Sequence, residues 1–152
     1  MAKIEDEIKS SFRSVYEKLL VNLQLTNIRL GDELEQQFKE HDITSTQYNV
    51  LRILRGQHQN PVSIGLIKER MIDRNSDASR IVDRLAKKNL ITRTENKIDR
   101  RQKDIIISDE GLALLSRMDK IMLNIDDRLN HLTEEEAEQM NDLLDKMRSK
   151  DE

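Results

Sequence analysis

A chain of 152 residues is one domain by length, with 36% hydrophobic and 36% charged residues, four Gly and one Pro, a profile that suits long helices with wide solvated faces. It has no Cys, which excludes a disulfide framework, thiol chemistry and a cysteine zinc site, and no apolar run of membrane-spanning length. The net charge of −3 conceals a basic centre: Lys68 to Lys103 holds twelve basic and six acidic residues, so that segment is +6 and the remainder −9. A basic stretch between acidic ends points to a polyanion-binding face on a self-repelling body.

In chain order, Ile4, Ile8, Phe12, Val15, Leu19 and Leu23 form one helical stripe. It continues loosely through Ile28, Leu30, Leu34 and Phe38, with Gly31 as a candidate kink and His41-Asp42 as its end. The mixed acids, bases and apolar residues of this segment do not suit a secretory leader, so a soluble cytoplasmic protein is expected. Thr44-Ser45-Thr46-Gln47 fits a capping box opening a helix that carries Tyr48, Val50, Leu51, Ile53 and Leu54. After Asn60-Pro61 a short helix is predicted over about Ser63 to Met71, with Ile64, Ile67 and Met71 inward.

The next predicted helix, Ser76 to Lys88, puts Ala78, Ile81, Val82 and Leu85 on one face. Ser76, Arg80, Asp83, Arg84 and Lys87 fall on the other. Asn89 stands where a left-handed C-terminal cap is expected. Two strands follow, Ile91 to Glu95 and Lys103 to Ile107, joined by a loop whose tip reads Lys97-Ile98-Asp99-Arg100-Arg101. Ser108 caps a long helix striped with Leu112, Leu115, Met118, Met122, Ile125, Leu129 and Leu132. Thr133 to Glu136 is a second capping box, and the last helix carries Ala137, Met140, Leu143, Leu144 and Met147. The methionines recur at helical spacing, which fits core or helix seam rather than a redox sensor.

A basic amphipathic helix followed at once by a basic hairpin is the order of a winged helix-turn-helix, where one element enters the major groove and a wing lies on the backbone or in the minor groove. On that reading Ser76, Asp77 and Ser79 at the helix start are candidates for base edges. Arg80 and Arg84 are candidates for guanines or phosphates, with Lys87 on the same face. Arg84 has a structural alternative, an ion pair with the neighbouring Asp83.

These segments resemble the MarR family (multiple-antibiotic-resistance-type regulators) along nearly the whole chain. Asp83 to Arg93, DRLAKKNLITR, resembles the family's DRLEKKGLVER consensus. Asp99 to Gly111, DRRQKDIIISDEG, resembles its DRR…V.LT..G pattern, and Ile43 to Leu54, ITSTQYNVLRIL, resembles its LT..Q..vL..L helix. Asn89 and Asp42 stand where the family commonly has Gly, and Ser108 where it has Thr. The resemblance implies a mainly α (α+β) fold. A winged helix-turn-helix lobe spans about 44–111, and helices over about 1–40 and 112–152 form a helical dimerisation region. It also implies that Arg101 of the wing enters a minor groove with its guanidinium held by Asp99. Arg100 reads as a phosphate contact or as a merely solvated cation. The expected activity is sequence-specific transcriptional regulation, as a repressor binding double-stranded DNA at a pseudo-palindromic operator as a homodimer, with release by a small-molecule effector as a family option.

The competing reading is a helical protein–protein interaction module, supported by the two long terminal stripes. The +6 segment and the hairpin speak against it, since a helical scaffold needs neither. No nucleophile elbow, Gly-rich phosphate loop or HExxH occurs, so no enzyme is expected. His41, His58 and His131 are scattered without acidic ligand spacing, so no metal or other cofactor is expected either.

Overall fold

The computed structural model describes residues 3–57, 60–99 and 101–149. A short helix α1 (Ile4–Ile8) precedes the 26-residue α2 (Val15–Glu40). Three helices follow: α3 (Ser45–Arg55), α4 (Ile64–Arg70) and α5 (Ala78–Lys87). The strands β1 (Ile91–Glu95) and β2 (Lys103–Ile107) form an antiparallel hairpin. Then come α6 (Asp109–Asp126), one 3₁₀ turn (Asp127–Leu129) and α7 (Glu134–Arg148).

The apolar stripe predicted as one N-terminal helix is broken. Lys9 takes a left-handed φ of 51°, and Ser14 restarts the helix by accepting a hydrogen bond from Glu17 N at 3.1 Å. The Glu17 carboxylate accepts in turn from Arg13 N at 2.6 Å. α1 folds onto α2, held by Lys18–Glu5 and Arg29–Glu7 ion pairs of 2.6 Å each. The Lys18 ammonium holds the Glu5 carboxyl below its ordinary range. Gly31, the candidate kink, lies inside an unbroken helix. That helix ends where Asp42 adopts φ 53°, a conformation a short polar side chain tolerates.

One apolar cluster organises the rest. Val50, Leu51 and Leu54 of α3 meet Ile67 of α4, Val82 and Leu85 of α5, Ile105 of β2 and Leu115 of α6. Phe38 of α2 and Met118 of α6 belong to the same cluster, so the core of the lobe reaches past both expected boundaries into the terminal helices. Phe38 stacks on Tyr48 with ring centroids 5.1 Å apart. Burial raises the Tyr48 phenol above its ordinary value. The predicted Thr44 capping box is present in both directions, Gln47 N to Thr44 Oγ1 and Thr44 N to Gln47 Oε1, each 3.2 Å.

The hairpin pairs Ile91 with Ile107 and Glu95 with Lys103. Alternation buries Ile105 and Ile107 against the core. Val62 adds a short third edge, exchanging hydrogen bonds with Ile105 at 3.0 and 2.9 Å. A fork joins the lobe to α6: Arg55 Nη1 and Nη2 donate to Asp119 Oδ2 and Oδ1 at 2.7 and 3.1 Å. This bidentate bond raises the Arg55 guanidinium pKa further.

Candidate nucleic-acid interface

α5 is a basic helix mounted on an apolar back. Ala78, Val82 and Leu85 are buried and Ile81 is half-buried, which turns Ser79, Arg80, Asp83, Arg84 and Lys87 outward. The helix begins two residues later than the sequence pattern predicts, because Asp77 is its N-cap. Its carboxylate accepts from Arg80 N at 3.2 Å and pairs with Arg80 Nε at 3.2 Å. Ser76 lies before the helix, and its hydroxyl donates to Asp73 Oδ2 at 2.5 Å. That bond, with a second from Asn75 N, holds the Asp73 carboxyl below its ordinary range. Ser76 and Asp77 therefore both carry local structural bonds, whereas Ser79 is simply exposed.

The expected Asp83–Arg84 alternative gives way to another pairing. Asp83 bonds Arg93 on β1, which ties the outer face of α5 to the hairpin. Lys88 bonds both the carbonyl and the carboxylate of Asp42, closing α5 against the α2–α3 turn. Lys103 pairs with Glu95 across the hairpin at 3.0 Å. Among the described residues, Arg84, Lys87, Lys97 and Arg101 make no ion pair. α5 and the wing thus each present two cations without an ion pair, whose charge is available to a partner.

The wing is fixed by side-chain to backbone bonds. Asn96 Oδ1 accepts from Ile98 N and Asp99 N, both at 2.8 Å. The Asp99 carboxylate accepts from Arg101 N at 3.0 Å and from the Gln102 amide at 3.3 Å. Asp99 therefore orders the turn backbone and not the Arg101 guanidinium, which corrects the expected fork. The turn takes an acceptor at that position, and both Asp99 oxygens accept from the Arg101 backbone and the Gln102 amide with no bond from the Arg101 guanidinium. Arg101 is exposed and lines a shallow groove with Ser63, Ile64 and Gly65 at the start of α4. Arg100 lies outside the described residues, as does His58.

The sequence reading missed two parts of this surface. Asp73, Asn75 and Ser76 build the turn that aims α5, and Asn49 of α3 fastens it by accepting from Ile72 N at 3.1 Å. The Asp-x-Asn-Ser spacing was a legible sign of that turn. Ser45 and Thr46, at the start of α3, share a groove of about 410 Å³ with Arg80 and Arg84. That neighbourhood arises only from packing. Beside α5 lies an open cavity of about 590 Å³ lined by Phe38 and Ile43, by the cations Lys39, Arg84, Lys87 and Lys88, and by the acids Glu35 and Asp42. Among the described residues no cluster of metal-ligating side chains occurs, and no helix is long and apolar enough to cross a membrane.

The model of the MarR family matches residues 43–103, from the start of α3 through the wing. The transcriptional repressor MdtR of Bacillus subtilis is 33% identical over 91 residues, 60% of this chain and 57% of its own length. The transcriptional regulator MhqR of the same organism is 25% identical over 128 residues, 84% of this chain and 87% of its own. Among solved structures, the S. aureus MepR–DNA complex superimposes with a TM-score of 0.74 at 26% identity, covering 90% of this chain and 97% of that one.

Proposed function

The chain belongs to the MarR family, and from that premise we propose that it is a transcriptional repressor that binds a pseudo-palindromic operator as a homodimer. The carrying observation is the placement of unpaired cations on a rigidly mounted α5 and on a wing whose turn is stapled by Asn96 and Asp99. Arg80 and Ser79 face the base edges, Arg84 and Lys87 the flanking phosphates, and Arg101 the minor groove. Ser76 and Asp77 act through the helix start they build. Arg100, by its place in the chain, adds a phosphate contact.

Dimerisation is supported by surface that one chain leaves open. α7 buries no residue, and a 15-residue helix is marginal without packing. Its Met140, Leu143 and Met147 are exposed, as are Val15, Tyr16, Leu19 and Leu20 of α2 and Leu123 of α6. Pairing these faces across a two-fold axis would bury them and set two copies of α5 side by side. An effector has a place in the cavity beside α5, whose four cations outnumber its two acids and suit a small organic anion. Because Arg84 and Lys87 line that cavity, an occupant there would compete with DNA for them.

Selection from a randomised duplex library tests the reading. Recovered sites should carry inverted half-sites about one helical turn apart, and affinity should fall steeply with salt. A protein that binds mixed and selected DNA equally would contradict sequence-specific regulation and favour the interaction-module reading.

A further inference from the structure

The large hydrophobic residues left exposed fall into two sets. Most lie on the terminal helices and the turn between α6 and α7. Only two, among the described residues, lie in the lobe: Ile72 in the turn before α5 and Ile98 at the wing tip. They are also the most exposed of all, at 87% and 97%.

Ile98 is not carried on slack chain. Its N–H donates to Asn96 Oδ1, and Asn96 Nδ2 donates to Asp104 Oδ1 on β2 at 2.9 Å. Two further backbone bonds, Asn96 N to Gln102 O at 3.2 Å and Gln102 N to Asp99 O at 2.9 Å, close the loop beneath it. The turn therefore presents a branched apolar side chain outward at little further entropic cost. No intramolecular contact explains that side chain. Lys97, next to it in the chain, and Arg101, three residues further on, are both exposed and make no ion pair.

An apolar tip with two such cations near it in the chain matches one kind of surface well. The DNA minor groove has phosphates along its rims and the carbon-bound hydrogens of deoxyribose along its walls, and apolar side chains are known to enter it. We propose that Ile98 is an apolar DNA contact, packed against the sugars of the minor groove beside Arg101, while Lys97 meets a phosphate on the rim. This rests on the reading of the lobe as a duplex-DNA binder, and adds a contact that charge does not supply.

The probe is the duplex that wild-type protein selects from a randomised library. Ile98→Ala should bind it about tenfold more weakly, on the scale of apolar area removed from water. Its log–log salt slope should equal that of wild type, since no charge changes. Ile98→Leu, which keeps the apolar bulk, should bind within about twofold of wild type. Hydroxyl-radical footprints should lose sugar protection at the outer edge of each half-site in Ile98→Ala and keep it at the centre. Circular dichroism serves as the folding control. Wild-type affinity in Ile98→Ala, or a weaker affinity accompanied by a reduced salt slope, overturns this inference alone. A wild-type protein that binds no duplex overturns the underlying reading and this one with it.

Discussion

Asp99 and Arg101 show how two neighbouring residues can share a site without touching through their charged ends. The carboxylate fixes the Arg101 backbone, so it sets where the side chain starts and not how its guanidinium points. Arg101→Ala should therefore remove one cation from an intact wing. Affinity for the selected duplex should fall strongly, and the log–log salt slope should shrink by about one unit. Asp99→Ala should give a smaller loss with an unchanged slope, because the turn loosens while every cation remains. Titrations of both variants across a salt series check this, and wild-type affinity in Arg101→Ala would leave the wing without a binding role. The DxR spacing was legible in the sequence. The direction of its hydrogen bonds was not, since a carboxylate two residues before an arginine can accept equally well from backbone or side chain.

Among the elements, helix bodies were legible and helix starts less so. The faces of α3 and α5 follow directly from the spacing of their apolar residues. The break after α1 was hidden because Phe12 and Val15 continue the stripe across it, although Ser14-x-x-Glu17 spelled a helix start. The start of α5 slipped for a similar reason: Ser76 and Asp77 both suit a cap, and only the bond to Asp73 decides between them. The junction of α6 with the hairpin shows what tertiary approach adds. Ser108 Oγ donates to Asn89 O at 2.7 Å and accepts from Gly111 N at 3.0 Å. A Cβ on Gly111 would stand 2.3 Å from the Leu90 carbonyl oxygen and 2.8 Å from Ile107. Gly111→Ala must push α6 away from the β1 entry and should cost about 1–3 kcal/mol of stability. Urea unfolding gives the value, and an unchanged midpoint would mean that α6 shifts freely.

At the scale of the whole molecule, the terminal helices carry most of the exposed large hydrophobic residues, and the lobe carries cations on α5 and the wing that make no ion pair. Leu143→Glu places a charge on a residue that is 66% exposed in one chain, so the fold should survive while dimer formation fails. Sedimentation should show the variant as a monomer at concentrations where wild type is a dimer, with operator affinity lost in parallel. A wild type that sediments as a folded monomer would remove the dimer from the reading. The Arg55–Asp119 fork then acquires a mechanical meaning, because it fastens each lobe to a helix of the proposed dimer arm. In the proposed dimer the two lobes would work as a caliper with jaws stiffened on their arms, and such an instrument accepts one span. Inserting a base pair between half-sites lengthens the span and rotates one half-site by about 34°. Wild type should reject that operator sharply, whereas Arg55→Ala, with its jaws loosened, should bind the native and lengthened operators more nearly alike. An unchanged affinity ratio in Arg55→Ala would place the stiffness in the shared apolar core instead.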